Sequence, residues 1–201
     1  MEKYSTGDIV LFCYRGWSKP IDIISHIIEW FSPLPYSHCG IYLKSPTYID
    51  SKLTGNYIWE SAIESTPDAA TDKVVWGVKL TPIEDYIGKY DGSISVRRLL
   101  KDNKQTDIDT EAILKIYKNV FEKPYDLDPM DWIRELFNMK DPEPQKTNRF
   151  WCSAFVGYFL TKLGVLPTDI DWSILKPADF AENTLDYQNG YSLGDIEIIQ
   201  P

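Results

Sequence analysis

Cys152 stands near the start of a run, Asn148-Arg149-Phe150-Trp151-Cys152-Ser153-Ala154-Phe155-Val156-Gly157-Tyr158-Phe159-Leu160, that continues to Gly164. The run is apolar on almost every side, so the helix it forms belongs in the middle of a domain. Thr147 and Asn148 are the expected N-caps, and Gly164 followed by Pro167 is the expected stop. The thiol then lies in the first turn, where free N–H groups and the helix dipole favour an anion and lower a cysteine's pKa. Such a cysteine suits a nucleophile, provided a base can take its proton and a third group orients that base.

Two histidines are available. His26 falls on the polar side of a helical segment beside Glu29, which reads as a surface position. His38 opens the strand-like segment Tyr36-Ser37-His38-Cys39-Gly40-Ile41-Tyr42-Leu43, where its ring can project past the sheet end toward a packed helix. On the residues alone, a histidine hydrogen-bonded at a turn accounts for it better. The third group would sit on the neighbouring strand, where Glu60 is enclosed by Tyr57, Ile58, Trp59, Ala62 and Ile63. A carboxylate so placed needs a partner, because an unpaired buried charge is costly. The alternative is that Glu60 faces outward, since it and Trp59 point to opposite faces. Asp50 and Glu64 compete for the role but read as loop or strand-end residues.

Cys39, next to His38, points to the other face and reads as core; Cys13, at a strand end, reads as structural. A zinc site from Cys13, His26, His38 and Cys39 has no recognised ligand spacing. Asp126-Leu127-Asp128 lacks the glycine and distal glutamate of a calcium loop. No P-loop, dinucleotide fingerprint or G-x-S-x-G elbow is present. Nothing demands a metal or an organic cofactor.

Several elements must position these residues. Gly7 to Phe12 reads as a turn and a short buried strand. Residues 21–31 show helical spacing between Pro20 and Pro33. The strand at 36–43 is followed by a polar loop at 44–56 and a hairpin partner at 57–62. Strands are expected at 74–80 and 94–99 with a short helix at 82–90 between them. The charged run 101–109 reads as loop, and 110–121 as an amphipathic helix. A turn at 123–126, a short helix at 129–139 and a loop at 140–146 lead to the cysteine helix. A helical stretch at 177–183 and a strand at 194–199 complete an α+β pattern.

With 201 residues, a single domain spanning 1–201 is expected. A formal charge of −9 argues against nucleic acid and anionic membranes as partners. Three cysteines without CxxC spacing argue against a disulfide framework. No basic-then-apolar leader or membrane-length apolar segment is seen, so a soluble, cytoplasmic protein is expected.

Five segments together resemble the NlpC-type papain-like cysteine peptidases: Gly7-Asp8-Ile9-Val10-Leu11-Phe12, Ser37-His38-Cys39-Gly40-Ile41-Tyr42-Leu43, Trp59-Glu60-Ser61-Ala62, Lys123-Pro124-Tyr125-Asp126 and Trp151-Cys152-Ser153-Ala154-Phe155-Val156. In standard members the proline–tyrosine motif and cysteine helix come first. The order here is reversed, resembling the circularly permuted, YiiX-like branch with relatives in bacteria and large DNA viruses. The resemblance implies an antiparallel, small barrel-like sheet packed against a central helix that carries the nucleophile. It also implies Cys152 as nucleophile, His38 as base, Glu60 as the residue orienting the imidazole, and Tyr125 as a cleft residue for substrate or oxyanion.

Two departures qualify what carries over. Trp151 and Ala154 replace the acidic residue before the nucleophile and the glycine two after it, and Glu60 stands where histidine is frequent. The function implied is a thiol hydrolase acting on an amide or peptide bond through a thioester, with a peptide-, amino-acid- or acyl-containing substrate. The alternatives are lipid deacylation or acyl transfer of the lecithin retinol acyltransferase type, and a binding module that kept the fold.

Overall fold

The computed structural model describes residues 3–15, 36–106, 108–125 and 147–201. The expected helices at 21–31 and 129–139, with His26, lie outside the described residues. Among these residues, seven strands form one antiparallel sheet: β1 (Ile9–Tyr14), β2 (His38–Lys44), β3 (Asn56–Ala62), β4 (Gly77–Pro82), β5 (Gly92–Lys101), β6 (Lys104–Gln105) and β7 (Tyr191–Gln200). Their order is β4-β3-β2-β1-β5-β6, with β7 also paired to β5. Among the described residues no ladder joins β4 to β6 or β7, so the barrel-like curl of the expectation is not closed by hydrogen bonds. Among the described residues, two α-helices, α1 (Thr110–Val120) and α2 (Cys152–Lys162), pack with this sheet in an α+β architecture.

Alternation along the strands gives the sheet two buried faces. Ile9, Leu11, Cys39, Ile41, Leu43, Trp59, Val78 and Leu80 point to one face, where they pack with Ile113, Ile116 and Val120 of α1 and with α2. Val10, Phe12, Tyr42, Ile58, Ile94 and Val96 point to the other and form a smaller cluster with Tyr4 and Ile83. Trp59 anchors α2, meeting the rings of Phe155 at 5.0 Å and Phe159 at 5.8 Å.

Where the elements differ from expectation, local chemistry accounts for it. β5 runs on to Lys101 and turns into β6 through Asp102 and Asn103, both at positive φ, the hairpin geometry that Asp and Asn tolerate. The segment expected as a strand at 74–80 is paired with β3 only from Gly77 onward. Short 3-10 turns at Ile83–Asp85 and Pro177–Phe180 replace the two short helices. Arg97 ties the C-terminal segment to the sheet. Its buried guanidinium donates to the carbonyls of Phe180, Glu182, Leu193 and Gly194 and to Asn183 Oδ1. No helix of the described residues is long and apolar enough to cross a membrane.

α2 begins at Cys152 itself, and neither Thr147 nor Asn148 caps it. Its N-cap is Trp151, in extended conformation and without a side-chain cap. The cause is an extended lead-in. Phe150 forms a parallel bridge with Tyr125, and its N–H donates to the Pro124 carbonyl at 3.1 Å. Pro124 in turn bridges Gly77, and the Val78 N–H donates to the Lys123 carbonyl at 2.9 Å. Gly164, at φ +70, follows the C-cap as expected.

Gly77 permits this stacking. At φ +149 a Cβ there would lie 2.1 Å from the Lys123 carbonyl oxygen. Gly77→Ala is expected to lower unfolding stability by about 2 kcal/mol or more, from backbone strain and a displaced 123–125 segment. Denaturant unfolding monitored by tryptophan fluorescence checks it; an unchanged midpoint would contradict this packing.

Candidate active site

The ladder between β2 and β3 stops at Ile41↔Trp59. Beyond that point β2 stays with β1 as far as Phe12↔His38, and β3 stays with β4 as far as Ala62↔Gly77. The two middle strands therefore fork, and the candidate residues gather in the fork.

Glu60 closes it from one side. It is fully buried, and its Oε2 accepts a hydrogen bond from His38 Nε2 at 2.6 Å. Its Oε1 accepts from Thr81 Oγ1 at 2.6 Å and from the Tyr86 hydroxyl at 2.8 Å. Burial opposes the carboxylate's charge, but the His38 hydrogen bond and charge, Thr81 and the charge of Lys79 hold its pKa below the ordinary 4.5. Lys79, directly opposite Glu60 in the ladder, is itself buried and donates to the Glu64 carbonyl and to Thr66. Burial raises the pKa of Tyr86 first and the Glu60 charge adds to it, so its hydroxyl keeps the proton it donates.

His38 is wedged between this carboxylate and the thiol. Phe12 lies against its ring, with centroids 5.1 Å apart, and Tyr86 and Tyr90 pack on Phe12 in turn. Burial works against an imidazolium, yet hydrogen bonds to Cys152 and Glu60 outweigh it and hold the pKa well above 6.5. With Nε2 committed to Glu60, Nδ1 is the nitrogen left for the sulfur. Its side chain is 18% exposed, whereas Glu60 is sealed and Cys152 is 3% exposed, so the imidazole is the solvent-facing member.

Cys152 is the first residue of α2. The largest influence on its thiol is a hydrogen bond from the Cys39 side chain; burial opposes ionisation, and the hydrogen bond and charge of His38 favour it. The Cys39 backbone N–H adds a further donor, turned into the fork instead of toward β3. The thiol is held well below the ordinary 9.0. A thiol so lowered beside an imidazole so raised is an arrangement that favours a thiolate–imidazolium pair, the form in which sulfur is nucleophilic.

Cys152, His38 and Glu60 thus come together as a chain of three. Asp50 and Glu64 do not join them: Asp50 Oδ1 accepts from the Lys52 N–H, and Glu64 meets Lys79 through its carbonyl. Tyr125 is half-buried and lies beside Phe150, two residues ahead of the thiol, through the parallel bridge. Cys39 is core, as its burial predicts, but the face it points to is the one that carries Cys152. Its contact with the sulfur is missed by a reading that stops at burial, although alternation from His38 and an apolar helix on one face contained the signal. Thr81 and Tyr86 gave no sequence signal, since their spacing from Glu60 matters only once β4 is paired. None of the three cysteines is in a disulfide.

Two outcomes follow from the electrostatics. Alkylation of Cys152 by iodoacetamide, resolved by peptide mass spectrometry, is expected to show a pH midpoint well below that of an ordinary thiol. Cys39→Ala should move that midpoint upward and Cys39→Ser, which keeps a donor, should move it less. The second concerns stability. The depressed pKa of Glu60 contributes stability that is present above about 4.5 and lost as pH falls through the folded value; the raised pKa of His38 contributes stability that is present below about 6.5 and lost as pH rises through its folded value. The Tm difference between wild type and Glu60→Gln is therefore expected to be largest between those two values; a difference independent of pH would contradict the pairing.

No family model matches the chain, and no curated protein matches it. Among solved structures it is similar to the crystal structure of metalloprotein YiiX from Escherichia coli O157:H7, DUF1105, with a TM-score of 0.51 and 19% identity, covering 80% of this chain and 67% of that one. Among the described residues, no three His, Cys, Asp or Glu side chains are grouped as a metal ion would need. The similarity to YiiX lies in the fold: the chain has a YiiX-like α+β fold.

Proposed function

We propose that this chain is a cysteine hydrolase that cleaves an amide or peptide bond, with Cys152 as nucleophile, His38 as general base and acid, and Glu60 as the residue that orients the imidazole. The observation that carries this reading is the continuous hydrogen-bonded path from the Cys152 thiol through His38 to a sealed Glu60. A buried carboxylate with three hydrogen-bonding partners is an expensive thing to keep, and its effect here is to fix one ring orientation. The permuted order of the five motifs, on a YiiX-like fold, supports placing the chain in the permuted NlpC-type branch of papain-like enzymes.

The chemistry proceeds in two halves. The Cys152 thiolate attacks the substrate carbonyl carbon, and the C=O electron pair moves onto oxygen. The backbone N–H of Cys152, at the uncapped start of α2, is positioned to stabilise that oxyanion, with Tyr125 as a second contributor to the wall of the cleft. Collapse of the adduct expels the amine, which takes a proton from the His38 imidazolium and leaves a thioester. Water then gives a proton to His38 as it attacks the thioester, and the acid departs from a regenerated thiolate. Glu60 stays ionised throughout and holds Nε2. The scheme uses no metal: the thiolate is the nucleophile and His38 the acid and base. Three cysteines without a disulfide suit a reducing compartment, and cytoplasmic action is part of the proposal.

Hydrolysis of a peptide and amino-acid amide panel, beside fatty-acyl esters, tests the proposal. Wild type is expected to turn over at least one amide. Cys152→Ala should abolish it, and Glu60→Gln should reduce kcat by about 100-fold or more. The pH profile should be bell-shaped, with the acid limb below the ordinary thiol value and the alkaline limb above the ordinary imidazole value, both belonging to the pair. Turnover of fatty esters alone would move the assignment to lipid deacylation, and turnover of nothing together with an ordinary thiol would leave a binding module.

A further inference from the structure

Glu60 and Ser61 are neighbours on β3, so they face opposite sides of the sheet. Glu60 reaches His38. Ser61, which is also fully buried, donates its hydroxyl to the Phe150 carbonyl at 2.6 Å. The peptide just ahead of α2 is thus gripped from two directions, because the Phe150 N–H donates to the Pro124 carbonyl. The body of α2 is held elsewhere, by Phe155 and Phe159 against Trp59. Its first turn meets the sheet through the thiol, which hydrogen-bonds with Cys39 and His38. Trp151 provides no side-chain cap, and the first turn has no acidic residue to fix it.

We propose that Ser61 is a positioning residue for Cys152: its hydrogen bond to the Phe150 carbonyl fixes where α2 starts against β3, and through that the approach of the thiol to His38. One strand then places both reactive groups, the imidazole through Glu60 and the thiol through Ser61. The inference deepens the Cys–His–Glu reading and rests on it. Its physical basis is that a buried carbonyl deprived of a close donor draws the chain toward another one. The link that this bond fixes is Trp151, which joins the bridged Phe150 to Cys152 at the start of the packed helix. A shift of that link lengthens the thiol–imidazole contact before it disturbs the core.

The experiment is the pH dependence of Cys152 alkylation by iodoacetamide, resolved by peptide, in wild type, Ser61→Ala and Ser61→Thr, with thermal unfolding of each. Ser61→Ala is expected to raise the midpoint by about one pH unit, slowing alkylation roughly tenfold on the acid side. Ser61→Thr, which keeps the hydroxyl, should return the midpoint toward wild type. A folded Ser61→Ala with an unchanged midpoint overturns the proposal, and so does a lower Tm with no change in midpoint, because that is a purely structural role. Should Ser61→Ala not fold, Ser61→Cys, similar in size and a weaker donor, is measured in its place: a raised midpoint supports the proposal and an unchanged one overturns it. A wild-type midpoint at the ordinary thiol value would instead overturn the Cys–His–Glu reading itself.

Discussion

A carboxylate sealed from solvent must be satisfied by its neighbours, and the site is built around satisfying Glu60. Its two oxygens receive three donors, from His38, Thr81 and Tyr86, and Lys79 stands opposite as a buried positive charge. Each donor comes from a different part of the chain: β2, β4 and the turn that follows β4. Satisfying this one group therefore requires β2, β3 and β4 in their observed register. Slipping β3 by one residue would turn Glu60 toward α2 and put Trp59 among the hydroxyls. The fold and the electrostatics of the site are the same constraint seen at two scales.

The fork between β2 and β3 carries that constraint to the thiol. Where a regular ladder continues, backbone donors are consumed by the next strand. Here the ladder ends at Ile41↔Trp59, and donors on β2 face the start of α2 instead. His38 and Cys39 are consecutive and point to opposite faces, yet both meet Cys152, because the sulfur sits in the gap between the strands. A thiolate there is stabilised by an imidazolium, a second thiol and a backbone N–H. These fixed dipoles replace water around the charge, which is how a buried anion is tolerated.

Much of this was legible in the sequence. The apolar run after Cys152, the alternating segments around His38 and Glu60, and the glycine stop at Gly164 each encode local structure through short-range periodicity. The demand that Glu60 find a partner was legible too, because it follows from its apolar neighbours. What was not legible depends on pairing between distant segments. The start of α2 is set by Tyr125, Pro124 and Ser61, which hold Phe150 extended and override the capping tendency of Thr147 and Asn148. Thr81 and Tyr86 acquire meaning only when β4 lies beside β3. Cys39 looked inert because burial alone does not say what the buried atom touches.

Cys152 and Glu60 together favour a charged His38. With two histidines in the chain, nitrogen-15 NMR of the imidazole rings, assigned with a His26→Gln variant, reads the state of His38 directly. A doubly protonated imidazolium is expected at pH 7.5 in wild type, with a shift toward the neutral ring in Cys152→Ala as one of its two partners is removed. A His38 that is a neutral tautomer at pH 7.5 in wild type, titrating near 6.5 with or without the thiol, would contradict it.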